Sequence, residues 1–378
     1  MKSASLSLAL VCTGLGNVAH AQSEDWQLGA VLDVAATSRG LALGQREKGL
    51  ALGHSDLSLS GPLGRHLSAQ FTAAAHAHDG KTEVELEEAY VQTRTLPLGL
   101  QARAGRFASQ IGYLNEQHPH ADDFVERPLL YRAFFGGHWF DDGLRLNWTA
   151  PTDFYLRLGA EVFRGRQLIQ EAASVRSPGA TVLSARLGDD WGRSHSWQTG
   201  LSWLHNRREA SVEDEHGHGG HDHDHDHGHD HAHAHGAALS GKNLVLWDVA
   251  WKWAPDGNNS QRQLRVVYER AWVRDLNRYA RSRDRHLADY LSVVWRFAPT
   301  WEVGARTDWL QARMPHGDHF HAGRLRETSL MVAYKPTHAQ SIRLQATRQS
   351  NRAGFDEATN AVQLQYVLSF GAHAAHSF

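Results

Sequence analysis

Between residues 216 and 235 the chain reads HGHGGHDHDHDHGHDHAHAH, a run holding His216, His218, His221, His223, His225, His227, His229, His231, His233 and His235. Imidazole is a preferred ligand of Zn²⁺, Cu²⁺ and Ni²⁺, and Asp222, Asp224, Asp226 and Asp230 set oxygen donors and negative charge beside it. With an ordinary pKa near ~6.5, most of these rings are neutral, and so able to coordinate, at neutral pH. Alternation at i and i+2 fixes no tetrahedral set. It predicts many weak, interchangeable sites at which Cu²⁺ and Ni²⁺ compete with Zn²⁺ on intrinsic affinity. Glycine, aspartate and histidine bury no core, so a disordered loop over 207–241 is expected whether or not it has a task.

Smaller groups offer more defined chemistry. His118, His120, Asp122 and Asp123 can supply two nitrogens and one or two oxygens to a single ion, and His316, Asp318, His319 and His321 form a second such set. Each has a plainer reading as a solvated loop. His373 and His376 stand at i and i+3 near the end of the chain. Isolated histidines such as His54, His66, His195, His286 and His338 are read as surface or lumen residues rather than ligands. No G-x-S-x-G nucleophile motif and no H-E-x-x-H set occurs, so neither an enzyme nor an organic cofactor is expected.

The elements that must position these groups follow a leader. Lys2, a short apolar stretch from Ala4 to Gly16, and the small residues Ala19 and Ala21 predict a signal peptide over 1–21, with the mature chain starting at Gln22. The single cysteine, Cys12, lies inside it, so no disulfide or thiol site is expected. Past the leader no stretch reaches the roughly 18 consecutive apolar residues of a membrane-spanning helix. Instead there are 13 tryptophans, 34 glycines and 10 prolines in 378 residues, with many segments that alternate apolar and polar. Val362, Leu364, Tyr366, Leu368 and Phe370 share one face of such a segment, and Gln363, Gln365 and Ser369 the other. Trp301, Val303, Ala305 and Trp309 likewise oppose Glu302, Gly304, Arg306 and Asp308. Aromatic and aliphatic residues repeated on one face, with charge opposite, mark a strand between lipid and water. The expected fold class is all-β: a transmembrane antiparallel up-and-down β-barrel over 22–378, with about 16 strands, no plug domain and outer-membrane lipid around it.

Division at turn signals gives strands running from 26–36 to 357–370, with 83–94, 300–312 and 325–335 among them. Short connections such as Gly61-Pro62-Leu63-Gly64 and Pro255-Asp256-Gly257-Asn258 alternate with long ones. With both termini periplasmic, the long connections face outward and carry the tract, the His118 group and the His316 group. The loop over 108–142 is the expected constriction loop, by analogy with water-filled barrels of this size.

The alternation places Arg103, Arg145, Arg157, Arg296 and Arg306, with Lys252, Arg265 and Arg343, on the pore-lining face. Glu302 and Asp308, with Glu161, Asp248 and Glu269, stand against them. A basic excess favours anions. Glu116, Asp122, Asp123 and Glu126 in the 108–142 loop either oppose this wall to give a transverse field or simply pair with it. The segment with Glu85, Glu87 and Glu88 breaks phase, so its face is unassigned.

Residues 105 to 165, GRFASQIGYLNEQHPHADDFVERPLLYRAFFGGHWFDDGLRLNWTAPTDFYLRLGAEVFRG, with the ending QLQYVLSFGAHAAHSF, resemble a family of porin-like bacterial outer-membrane proteins with histidine-rich loops. That family is associated with zinc acquisition. The terminal Phe378 resembles the signal read by the barrel-assembly machinery. The resemblance implies an outer-membrane channel that captures a divalent metal, Zn²⁺ first, on its outer loops and lets it diffuse to the periplasm. The alternatives are a general or anion (phosphate)-selective porin with an incidental histidine loop, and surface metal buffering. A homotrimer is expected by analogy with porins. A formal net charge of −2 without aromatic-interleaved basic clusters argues against a nucleic-acid partner.

Overall fold

A segment that alternates apolar and polar residues satisfies both faces only as a strand with lipid on one side and a polar interior on the other. In the computed structural model, which describes residues 25–78, 81–94, 96–169, 178–208, 237–316, 318–350, 352–355 and 359–371, such segments form one closed sheet. The expected leader, the histidine tract from His216 to His235, and His373, His376 and Phe378 lie outside the described residues.

In chain order the strands are β1 (Gln27–Thr37), β2 (Gly49–Leu52), β3 (Ser55–Leu63), β4 (Leu67–His78), β5 (Lys81–Thr93), β6 (Leu100–Ala108), β7 (Phe140–Thr149), β8 (Tyr155–Phe163) and β9 (Ala180–Trp191). They continue as β10 (His195–Asn206), β11 (Asn243–Trp253), β12 (Gln263–Arg274), β13 (His286–Ala298), β14 (Trp301–His316), β15 (His319–Thr337), β16 (Gln340–Ser350) and β17 (Asn360–Gly371). From β3 onward each strand pairs antiparallel with the next, β1 pairs with both β2 and β3, and β1 also pairs with β17, from Gly29↔Gly371 to Thr37↔Gln363. Because β2 and β3 both pair with β1 and form one interrupted stave, the barrel has 16 staves. Closure leaves no free sheet edge, which a bilayer requires.

Polarity is inverted relative to a water-soluble protein. Leu57, Leu144, Leu201, Leu330, Leu344 and Leu364 are exposed on the outside, while Asp248, Asp308, Glu327, Gln345 and Gln363 are buried inside. Near the short connections Trp26, Tyr155, Trp191, Trp295, Trp301 and Phe370 are exposed, as an interfacial girdle requires. The barrel is built for the outer membrane.

Two features depart from the expected boundaries. β14 and β15 run on to the pairs Pro315↔Phe320 and His316↔His319, so the His316 group sits at a hairpin tip rather than in a long loop. Above the lipid belt both strand faces meet water, and the alternation that reveals a strand disappears while the backbone ladder continues. The second feature is the interruption between β2 and β3, a bulge at Gly53–His54.

Residues 109–139 fold inside the barrel. They carry the short helix α1 (Leu129–Phe135), all seven of whose residues are buried, ended by Gly136 in the left-handed conformation at φ 62. Pins from around the wall hold this loop. Leu129 N donates to Asp308 Oδ1 (2.9 Å), Val125 N donates to Gln345 Oε1 (2.7 Å), and Tyr131 Oη donates to Glu269 (2.8 Å). Arg132 forms an ion pair with Glu327 at 2.6 Å, and Ser109 Oγ donates to Glu161 at 2.6 Å. Phe107, Ile111, Leu130, Phe134, Phe135 and Trp139 pack as an apolar core inside an otherwise polar lumen.

Candidate metal centre

Two irregularities in the sheet turn donor side chains inward. Pairing across β1 shifts by one residue between Val34↔Leu52 and Val31↔Asp56, so the stave bulges at Gly53–His54. Asp33 holds the bulge: its Oδ2 accepts from His54 N (3.1 Å) and from Arg46 Nη2 (2.7 Å). A side chain on Gly53 would collide with that Asp33–Arg46 pair. The second bulge lies in β5, where the register to β4 slips between Thr72↔Glu88 and Ala73↔Leu86. The extra residue is Glu87. Adjacent residues of a regular strand point to opposite faces, yet the bulge buries Glu87 and Glu88 together on the lumen side. This explains the phase break at Glu85, Glu87 and Glu88.

The inward loop supplies the other donors. His118 and His120 flank Pro119 at a 3-10 turn, and His138 follows the Gly136–Gly137 pair just before β7. His54 Nε2 lies 3.2 Å from Glu87 Oε2, His118 Nδ1 lies 3.4 Å from the same oxygen, and the two imidazole nitrogens are 3.5 Å apart. Two ligand atoms each about 2.0–2.1 Å from a tetrahedral Zn²⁺ stand about 3.3 Å apart. These three atoms therefore already outline one face of such a tetrahedron.

A second set adjoins it. His120 Nδ1 is 3.1 Å from Asp56 Oδ2, and donor atoms of His54, Asp56 and His120 all lie within 4.8 Å of one another. Glu88 contacts His118 Nε2 at 3.4 Å. The His138 ring centroid is 5.5 Å from that of His118, and neither of its buried ring nitrogens has a hydrogen-bond partner among the described residues. The cluster thus holds four imidazoles and three carboxylates.

Electrostatics divides the loop histidines. Burial disfavours the charged form of His118, but Glu87 and Glu88 outweigh it and hold its pKa well above the ordinary histidine value. At His120 burial outweighs the Asp56 carboxylate and lowers the pKa to about 4, and burial takes His138 well below the ordinary value. Burial thus favours the neutral form of His120 and His138, whereas the carboxylates beside His118 favour its protonated form.

The cluster lies between cavities. On the long-connection side a cavity of about 320 Å³ is lined by Gln45, Arg46, His54, Glu87, Pro119 and His138, with Ala238 at its edge. On the other side cavities of about 250 and 460 Å³ share Tyr113 and Gln117. The loop segment from Gln117 to Pro119 stands between the two sides.

No family model matches the chain. A protein of Aquifex aeolicus (strain VF5), described only as uncharacterized, is 28% identical over 359 residues, covering 88% of this chain and 71% of its own. Among solved structures, OprB of Pseudomonas putida aligns with a TM-score of 0.58 at 11% identity, over 92% of this chain and 94% of its own. The anion-selective porin from Comamonas acidovorans aligns at 0.56 and 12% identity, over 92% and 99%. A loop-deletion mutant of OmpT, an outer membrane protein of Vibrio cholerae, aligns at 0.56 and 11% identity, over 92% and 99%. The fold is that of outer-membrane porins. None of these relatives links the porin fold to zinc or to a histidine-rich loop, so the metal chemistry rests on this chain's own residues.

Within this porin-type barrel, the His118 and His120 rings lie 5.7 Å apart but fall in different donor sets, and Asp122 and Asp123 join neither. Arg127 Nε donates to Asp122 Oδ2 at 2.7 Å, and Asp123 pairs with Arg265 on the opposite wall. The missing carboxylates come from the wall as Asp56, Glu87 and Glu88. His54, read as isolated, is the donor common to both sets. A His-x-Asp spacing on a strand, His54-Ser55-Asp56, was the available signal, since residues two apart share a face. His138 had none beyond its Gly-Gly neighbour. His316, His319 and His321 converge at the hairpin tip with ring centroids 5.1–5.2 Å apart, and Asp318 contacts His319 Nδ1 at 3.2 Å.

The wall charges pair. Arg145 contacts Glu161 (2.5 Å) and Glu116 (2.8 Å), and Arg157 contacts Glu116 (3.2 Å). Arg306 joins Asp308 (2.8 Å) and Glu327 (2.9 Å), and Arg296 joins Glu302 (2.7 Å). Arg103 donates to Gln92 and stacks over Tyr90. The transverse field that the sequence allowed is replaced by short ion pairs.

Proposed function

We propose that this barrel is a passive outer-membrane channel for a divalent metal ion, Zn²⁺ first, with Cu²⁺ and Ni²⁺ as competitors on intrinsic affinity. The observation that carries the proposal is the triangle of His54, Glu87 and His118 at the floor of the outer cavity. The residues that follow the histidine tract support it. Ala237 N donates to Leu168 O (3.0 Å), Leu239 N donates to Ala133 O (2.9 Å), and Ala238 borders the cavity that His54 and His138 line. The residues that follow the tract are therefore anchored beside the cavity that the donors line. In this reading it concentrates ions, the lumen cluster selects among them, and the gradient drives passage without catalysis or a plug. A homotrimer inserted by the barrel-assembly machinery is the assembly we assign; one OmpT structure is a trimer form.

An anion-selective porin is the second reading, favoured by the arginine-rich wall. The pairing of Arg145, Arg296 and Arg306 with wall carboxylates weakens it, because a compensated guanidinium attracts anions less. Planar bilayers separate the two. The metal channel is expected to show Zn²⁺-dependent block of monovalent current; unchanged conductance with strong anion preference would overturn it. Zinc uptake by cells carrying the full chain, compared with one lacking 209–238, tests the tract. Equal uptake at limiting zinc would remove it as the capture device.

A further inference from the structure

We propose that the lumen cluster is a two-position relay in which His54 stays bound to the ion while its other ligands are exchanged. The proposal rests on the metal-channel function above and adds the pathway through the site.

Conduction imposes a conflict on any binding site: it must hold the ion well enough to admit it and weakly enough to release it. A buried set of four imidazoles and three carboxylates acting on one ion would hold it too tightly to pass it on. The geometry divides the donors instead. His54, Glu87 and His118 form one compact set, and His54, Asp56 and His120 form the other; donor atoms within each lie within 4.8 Å of one another. His54 and Glu87 line the outer cavity, whereas Asp56 and His120 do not. Glu87 is the one donor of the two sets besides the shared His54 that reaches this cavity, so its set, with His118 behind it, is the entry position, and Asp56 and His120 are the ligands beyond.

The contacts between the sets support exchange over release. His118 Nδ1 is 3.4 Å from Glu87 and 3.6 Å from Asp56, so it faces an oxygen of each set. An ion leaving Glu87 meets Asp56 before it has lost both imidazoles. One ligand is lost as another is gained, and the ion is never bare inside the barrel, where desolvating a divalent charge is prohibitive. Because both sets need His54, the cluster carries one ion at a time. His138, buried with no hydrogen-bond partner among the described residues, lines the same outer cavity as His54 and Glu87, on the entry side.

The test uses the full-length chain in planar bilayers, for Zn²⁺ block from the long-connection side, and in liposomes, for Zn²⁺ entry read by a trapped indicator. Potassium conductance of each variant reports a folded barrel independently of metal. In Asp56→Ala/His120→Ala the entry position survives. Block is expected within about 3-fold of wild type while Zn²⁺ entry falls about 10-fold or more. In Glu87→Ala/His118→Ala the half-blocking concentration is expected to rise about 10-fold or more, the scale on which metal sites respond to lost partners. Equal loss of block in both double variants would identify a single mixed site and overturn the relay while leaving the metal channel standing. Wild-type Zn²⁺ entry in Asp56→Ala/His120→Ala would also overturn the relay. If wild type itself shows neither block nor entry, the channel function fails and the relay with it.

Discussion

His54 Nε2 lies 3.2 Å from Glu87 Oε2 although the two side chains come from different staves, each at a bulge. Removing either bulge would rotate one donor out toward lipid, because a one-residue slip flips a strand's faces. The ion-binding geometry is thus a property of the wall as much as of the loop. His54→Ala is expected to raise the half-blocking Zn²⁺ concentration at least about 10–100-fold, since both donor sets lose a direct ligand. Monovalent conductance should persist. Block at the wild-type concentration would show that the triangle does not bind the ion.

The loop's anchorage makes a separate prediction. Arg132 and Glu327 are both buried and meet at 2.6 Å, and Glu327 keeps Arg306 and Gln349 when Arg132 is lost. Arg132→Ala should therefore cost about 1.5–3 kcal/mol of loop attachment, the range for hydrogen bonds to charged groups, rather than the larger loss of an orphaned charge. Conductance should rise and become noisier as the loop loosens, with the barrel still folded in detergent. Single-channel traces indistinguishable from wild type would mean that the remaining pins suffice.

The barrel was legible because lipid on one side and water on the other impose a period of two, as Leu364 and Gln365 display. What escaped was produced by departures from that period. Glu87 and Glu88 are adjacent, so regular alternation cannot place both inside; only the bulge does. Asp122 stays out of the cluster because Arg127, five residues on and folded back by the loop, captures its carboxylate. The hairpin at His316–His319 has the sequence of a loop because it stands above the lipid, where alternation carries no information. Local spacing found His118 and His120, and tertiary structure supplied their partners.

The inverted polarity gives a test of the membrane assignment. Leu344 is 52% exposed on the outer face of β16, while its neighbour Gln345 is buried in the lumen. Leu344→Arg should destabilise the folded barrel in bilayers by about 2–4 kcal/mol, the cost of a basic residue on the lipid face near the midplane. Urea unfolding from lipid vesicles measures it. An effect below about 0.5 kcal/mol, the ordinary range for a surface substitution, would place Leu344 outside the hydrocarbon.

The hairpin tip yields a prediction independent of the lumen. His316 and His319 are cross-strand partners and His321 lies two residues further on the same strand, so a rigid ladder holds all three rings within reach of one ion. The group is exposed, which keeps a bound ion hydrated and exchangeable, unlike one in the buried cluster. Ni²⁺ or Zn²⁺ should therefore slow amide exchange across 314–322 in the full-length chain, as an ion joining two strands suppresses fraying of their tip. His316→Ala/His319→Ala/His321→Ala should abolish that protection while leaving lumen block within about 2-fold of wild type, since the sites share no ligand. Peptide-resolved exchange separates this signal from metal bound elsewhere on the chain. Unchanged exchange across 314–322 at saturating metal would show that the three rings, though converged, do not bind an ion.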